Sequence, residues 1–294
     1  MHNYDEYKEI VNTNLLKYIP AIHPYANILK ESMEYSLKIG GKRVRPVLLL
    51  AACEYAGGDI DAAIPYACAL EYIHTYSLIH DDLPAMDNDE YRRGQKTNHI
   101  VFGEDIAILA GDGLLNTAAE IMYSELSKCN TLDSFKNNSA AGREIMSRAG
   151  VTGMIAGQVA DVINENVKGT AELVHYIEEH KCGDLITAAI LAGLSLAGAS
   201  EEEQSDFGLY AMNIGIAFQI LDDILDFEGE AELMGKTLGK DIAQDKCNYV
   251  CVNGLDAAKT ELHRLTVDAI DAISKYSDTE FFIEFASLLE NRRK

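Results

Sequence analysis

Phe218-Gln219-Ile220-Leu221-Asp222-Asp223-Ile224-Leu225-Asp226 sets three carboxylates into an otherwise apolar stretch. Asp222 and Asp226 are four apart and so share one helix face, with Asp223 beside them. The upstream Ile214 and Ile216 continue the apolar surface, so this is a buried helix rather than a solvated acidic one. A second cluster stands far upstream, Asp81-Asp82-Leu83-Pro84-Ala85-Met86-Asp87, led in by Ile79-His80. Asp81 and Asp87 do not stack on a helix, and Pro84 forces the chain out of one, so Asp87 must fold back toward Asp81. Carboxylates in apolar sequence are costly unless they are paired or hold a cation. Mg²⁺ takes one or two protein carboxylates and completes its shell with water and substrate phosphates. The two clusters therefore imply a magnesium site for a phosphorylated substrate.

Outward from these clusters the periodicity is helical, and no stretch alternates well enough to be a strand. All five prolines lie at or before Pro84, which leaves the rest of the chain free for long helices. Helices are predicted from Tyr4 to Tyr18, from Pro24 to the Gly40-Gly41 break, from Val44 to Tyr55, and from Asp61 to the first cluster. Further helices are predicted at 105–127, 139–148, 151–165, 171–197 and 201–228, with a polar loop over 130–138. Ser200 with Glu203, and Ser277 with Glu280, read as capping boxes. No linker or repeat marks a boundary, so residues 1–294 read as one all-α domain.

Composition narrows the partners. Hydrophobic residues make up 48% of the 294, enough for a large core, and the net charge is −22. Such a surface disfavours nucleic acid and anionic membranes. The apolar run from Leu185 to Ala199 is shorter than the roughly 20 residues a bilayer requires, so no membrane insertion is expected. The acidic start carries no signal-peptide pattern, and the six cysteines form no CxxC pair. Both observations point to a cytoplasmic protein with reduced thiols.

In so acidic a chain the grouping of cations carries information. Lys42, Arg43 and Arg45 follow Gly40-Gly41 at a helix entrance, where free amides also favour anions. Arg92 and Arg93 follow the first acidic cluster, and Lys236, Lys240 and Lys246 the second. Lys181 opens an apolar helix. Each alone is an ordinary surface cation; beside two metal-binding clusters they suit a departing phosphate group. His74 can reach a phosphate from the helix that ends at Asp81. Gln158 and Asp161 can orient another group, and Tyr76 is either a core aromatic or the floor of a cavity.

Together these motifs resemble the trans-polyprenyl diphosphate synthases, most closely the bacterial type of farnesyl diphosphate synthase. The resemblance rests on Gly40-Gly-Lys-Arg-Val-Arg-Pro46, on Tyr76 to Asp87, on Arg92-Arg93-Gly94, on Gly157-Gln158 with Asp161, on His180-Lys181 and on Phe218 to Asp226. It implies a single antiparallel helical bundle around a deep central cavity, usually a homodimer. It also implies three Mg²⁺ ions per site, with Mn²⁺ a substitute, held by Asp81, Asp87, Asp222 and Asp226 and supported by Asp82 and Asp223. Arg92, Lys181, Cys182, Gln219, Lys236 and Lys246 would hold the allylic diphosphate, while Lys42, Arg45, His74 and Arg93 would hold isopentenyl diphosphate. Cys182 replaces the family's usual threonine, and Cys247-Asn248-Tyr249 its Ser-Thr-Tyr. Asn291-Arg292-Arg293-Lys294 resembles the basic tail that closes over the site in relatives.

The expected reaction joins isopentenyl diphosphate to dimethylallyl or geranyl diphosphate. A large ring at Tyr76, beside the small Ser77, favours the fifteen-carbon product over the twenty-carbon one. A terpene cyclase would not need Lys42, Arg45 and Arg93, and a non-catalytic partner subunit would typically have lost an Asp-rich motif. A metal-storage bundle would want matched Glu-x-x-His pairs, which Glu71-His74 and Glu172-His175 do not form.

Overall fold

The computed structural model describes residues 1–164, 169–234 and 247–292, the stretch 229–234 by its backbone. Its helices fall into two compact units, Met1–Arg143 with Ala192–Ala199, and Glu144–Leu191 with Ser200–Lys294. The fold is all-α: among the described residues the strands are the two-residue pair β1 (Tyr91–Arg92) and β2 (Gln95–Lys96). That hairpin was not foreseen. It forms because Arg93 and Gly94 both take positive φ, which closes a tight turn.

In the first unit, α1 (Tyr4–Asn14) starts at a capping box made by Asn3 and Glu6. Next come α2 (Asn27–Lys38), α3 (Val44–Tyr55) and α4 (Ile60–Asp81). Helices α3 and α4 are apolar around most of their circumference, and Val47 to Ala52 have no exposed surface, so these two form the core. Asp59, rather than Asp61, caps α4, accepting from the Asp61 amide. The short α5 (Asn98–Phe102) leads into α6 (Glu104–Lys128). The two long helices α4 and α6 meet at Gly111, where a Cβ would fall 2.1 Å from His80 Nε2. The next helix, α7 (Leu132–Ala149), overturns the expected loop over 130–138. Thr131 Oγ1 accepts from the Ser134 amide and starts the helix among residues whose polarity had suggested a loop.

In the second unit, α8 (Met154–Ile163) is followed by α9 (Ala171–Ile177), a π-helical segment (Glu178–Gly183) and α10 (Asp184–Ala197). The expected single helix over 171–197 thus contains a π-segment. The long α11 (Glu201–Met234) carries the second acidic cluster and starts at the expected Ser200–Glu203 capping box. Three helices complete the unit: α12 (Tyr249–Asn253), α13 (Leu255–Ile273) and α14 (Glu280–Glu290). Thr279 precedes α14 and no side chain caps it, so the box expected of Ser277 and Glu280 is not formed. Phe207, Tyr210 and Phe282 pack edge-to-face or tilted, and the Tyr210 hydroxyl donates to the Phe282 carbonyl at 2.7 Å. Helix α11 is long and apolar enough to span a membrane by length and composition, but much of it is buried within the protein. All six cysteines are free thiols.

Candidate active site

The first acidic cluster caps α4. Asp82 terminates the helix, and the chain then turns so that the Asp87 amide donates to the Asp81 carbonyl at 2.9 Å. Asn88, with φ +54°, closes the turn by donating its amide to the Leu83 carbonyl at 3.1 Å. Pro84 thus ends the helix and Asp87 folds back, as its spacing required. Asp81 is half-buried and Asp87 exposed. Asp82 is buried instead, and its Oδ1 accepts from Arg92 Nε at 2.8 Å and pairs with Nη2 at 2.6 Å. Burial pushes the Asp82 carboxyl up while the guanidinium holds it down, and the upward effect wins. A guanidinium has five donors, so donors on Arg92 beyond these two remain for an anion.

One face of α4 lines a cleft of mixed polarity together with this arginine. His74, Thr75, Asp82, Arg92, Arg93 and Asn98 are among its lining residues. Arg45 Nη1 lies 3.5 Å from His74 Nε2. Desolvation and then the Arg45, Arg93 and Arg92 charges push the His74 imidazole well below its ordinary value, so it is neutral at pH 7. Burial, then the neighbouring arginines, lowers the Arg93 guanidinium. Cations crowded in this way await an anion. Gly41, with φ +144°, takes a backbone conformation that favours glycine, and the Arg93 guanidinium packs over it and donates to the Gly40 carbonyl. Lys42 is exposed, and its carbonyl accepts from the Tyr4 hydroxyl at 2.7 Å.

Arg43 does not belong with these cations. Its φ of +57° turns the side chain inward, where Nη1 meets Glu71 Oε1 at 2.5 Å and Nη2 donates to the Leu37 carbonyl at 2.6 Å. It ties α2, α3 and α4 together. Tyr76 is 7% exposed and packs edge-to-face on His80, with ring centroids 5.7 Å apart. The Ser77 hydroxyl donates to the His74 carbonyl at 2.9 Å.

In the second unit, Lys181 and Cys182 ride on the π-segment. Lys181 Nζ donates to Asp161 Oδ2 at 2.5 Å, which holds the ammonium by one of its three protons. Gly157 on α8 permits this, because a Cβ there would fall 2.3 Å from the Lys181 amide nitrogen. Cys182 Sγ donates to Gln219 Oε1 at 2.8 Å. Gln219 Nε2 donates in turn to Asp223 Oδ1 at 2.9 Å, and the Tyr249 amide donates to Asp223 Oδ2 at 3.0 Å. Asp223 is buried, and desolvation, helped by Asp226 and Asp222, pushes its carboxyl up to about 6 despite those two donors. It therefore orients Gln219, while Asp222 is half-buried and Asp226 exposed. Arg292 Nη1 stands 3.2 Å from Asp222 Oδ1, and its guanidinium lies 5.4 Å from the Phe218 ring centroid. That contact has only the resemblance of the last four residues as a sequence signal. Lys236, Lys240 and Lys246 lie outside the described residues.

Among the described residues no three His, Cys, Asp or Glu side chains gather closely enough to enclose a metal ion. The donors that are accessible, Asp81, Asp87, Asp222 and Asp226, are hard carboxylate oxygens. They fit Mg²⁺, whose other ligands come from water and phosphate, and not a soft metal.

Comparison with known proteins agrees with the motifs. The polyprenyl synthetase profile matches residues 26–280. A geranylgeranyl diphosphate synthase of Cyanophora paradoxa is 44% identical over 289 residues, 98% of this chain and 94% of that protein. A farnesyl diphosphate synthase of Bacillus subtilis (strain 168) is 46% identical over 244 residues, 83% of this chain and 80% of that one. The apo crystal structure of an FPP/GFPP synthase from Zymomonas mobilis superposes with a TM-score of 0.84 at 29% identity, covering 98% and 97% of the two chains. On this coverage, and on the motifs described above, the chain belongs to the polyprenyl synthetase family and is a prenyltransferase.

Proposed function

We propose that the protein condenses isopentenyl diphosphate with dimethylallyl and then geranyl diphosphate to form farnesyl diphosphate. The observation that carries the fifteen-carbon reading is Tyr76, a buried ring five residues before Asp81 on α4. A growing tail that descends beside this helix meets that ring. The twenty-carbon reading is the second choice, favoured by the similarity to a geranylgeranyl diphosphate synthase along nearly the whole chain.

In this reading Arg45, His74, Arg93 and Lys42 bind isopentenyl diphosphate, and Arg92, Lys181 and Gln219, joined by Lys236 and Lys246, bind the allylic diphosphate. Asp81, Asp87, Asp222 and Asp226 hold Mg²⁺, three ions when the site is loaded. Bound Mg²⁺ supplies charge neutralisation on the departing diphosphate. The C–O bond of the allylic substrate breaks to release diphosphate, the isopentenyl double bond attacks the resulting cation, and a proton passes from the new chain to the released diphosphate. Lys181 and Arg92 stabilise charge that grows on the leaving diphosphate, so they act more strongly in the transition state than in the ground state. Asp161 and Asp82 keep those two cations aimed, and Cys182 and Asp223 keep Gln219 aimed.

The same reading takes the chain as one domain, cytoplasmic and homodimeric. Ile108, Leu109 and Tyr123, exposed and apolar on α6, support a self-associating face. Incubation with Mg²⁺, isopentenyl diphosphate and each starter, followed by sizing of the dephosphorylated products, tests the activity. A dominant fifteen-carbon product upholds the proposal, a twenty-carbon product moves it to the second reading, and no product overturns it.

A further inference from the structure

Glu178, the first residue of the π-segment, has no part in the chemistry above. It is 2% exposed, and neither carboxyl oxygen has a hydrogen-bond partner among the described residues. A charged carboxylate in that position would be uncompensated.

Its neighbours make a charge there worse. Asp223 on α11 and Glu261 on α13 act on it as like charges, and no cation among the described residues figures in the balance. Tyr249 on α12 and Cys247 just before it feel the field of Glu178 in turn. Among the described residues the nearby cations are already committed: Arg264 on α13 to Glu261 and Asp268, Lys181 to Asp161 on α8. On α9, His175 lies against Glu179, and within the segment His180 is bonded to Asp184.

Desolvation, then Asp223 and Glu261, push the Glu178 carboxyl up to about 9. The π-segment itself lies hard against α11, since a Cβ on Gly215 would stand 2.5 Å from the Gly183 Cα. Such segments are rare and cluster at functional sites. This one carries Lys181 and Cys182.

We propose that Glu178 is a positioning residue that works only as the uncharged acid. Protonated, it lets the π-segment rest against α11 with Lys181 and Cys182 aimed. Without its proton the group must leave its buried, like-charged surroundings, and the segment carries both residues out of place. The inference rests on the prenyl-transfer reading, because the affected ligand is the allylic diphosphate.

Two measurements test it on the full chain and on the Glu178→Gln and Glu178→Met variants. Geranyl diphosphate binding with Mg²⁺ is read by calorimetry, without isopentenyl diphosphate so that no turnover intervenes. Between about pH 7.5 and about pH 9.5 the native protein is expected to lose roughly fourfold in affinity, and the variants less than about twofold. Thermal midpoints of the ligand-free proteins are read over the same range and down to about pH 5. A carboxyl whose folded value is raised stabilises the fold below its unfolded value, and that stabilisation is lost as pH rises through its folded value. The gap between Glu178→Gln and native midpoints should therefore widen from about pH 5 to about pH 9 and then stay constant. Parallel loss of geranyl diphosphate affinity in native and variant proteins, or a pH-independent midpoint gap, overturns the inference. Absence of geranyl diphosphate binding at every pH overturns the prenyl-transfer reading, and this inference with it.

Discussion

The backbone amide of Asp87 donates to the carbonyl of Asp81 at 2.9 Å, so the first acidic cluster is closed by main chain and not by its carboxylates. The turn is therefore independent of metal, and a carboxylate can be removed without opening it. Asp81→Ala and Asp222→Ala are each expected to lower turnover by about 10²–10³-fold or more, the scale of lost metal stabilisation of a leaving group. Thermal stability should be unchanged or higher, since each change relieves a like-charge cluster. Steady-state kinetics beside a thermal melt checks both, and near-native turnover in either variant removes the metal assignment.

The two groups of cations should separate kinetically. Arg45 stands 3.5 Å from His74, which lines a cleft with Arg93, whereas Lys181 is aimed by Asp161. Lys42→Ala or Arg45→Ala is expected to raise the KM for isopentenyl diphosphate about 10–100-fold, the worth of a hydrogen bond to a charged group, with little effect on the allylic partner. Lys181→Ala should do the reverse. Equal effects on both substrates from all three changes would show the pockets to be misassigned.

The Arg43–Glu71 pair is buried on both sides and joins three helices. Glu71→Ala leaves a buried guanidinium unpaired and is expected to cost about 3–5 kcal/mol in urea denaturation. Replacing both residues by methionine should cost less than the single change, because no charge is then stranded. A loss below about 1 kcal/mol for Glu71→Ala would mean that the ion pair is not intact in solution.

Legibility in the sequence followed chemistry that acts locally. Pro84 announced the end of α4, and Ser200 with Glu203 the start of α11, because each acts within a turn of itself. The start of α7 was hidden because Thr131 and Asn138 look like loop residues, although one caps the helix and the other bonds along it, Nδ2 to the Ser134 carbonyl at 2.9 Å. Arg43 reads as one of three cations at a helix entrance, and only its left-handed backbone shows that it points inward. Glu178 was missed: it stands beside Glu179 in a polar run, yet one is buried and the other partly exposed. Glu178 stands four residues after the buried Val174 and next to the buried Ile177, so the helical period itself puts it on the core face, and its usual charge hid it.

Product length should answer to Tyr76. Five residues of helix put it roughly 7–8 Å along the axis from Asp81, before side-chain reach is added. The ring is buried and held edge-on by His80, which is itself wedged at Gly111 with Nε2 3.1 Å from the Ile108 carbonyl. A buried ring packed in this way acts as a stop to a growing tail. Tyr76→Ala removes the stop and leaves Asp81, Asp82 and their turn in place. It is expected to shift the dominant product from fifteen carbons to twenty or more, with the rate of first condensation changed by less than about threefold, since no group touching diphosphate is lost. Ser77 is already small, so Ser77→Ala should leave length unaltered. Chromatography of the dephosphorylated products reads the outcome. An unchanged fifteen-carbon product from Tyr76→Ala places the floor elsewhere, whereas a twenty-carbon product from the native protein shows that Tyr76 does not stop the tail.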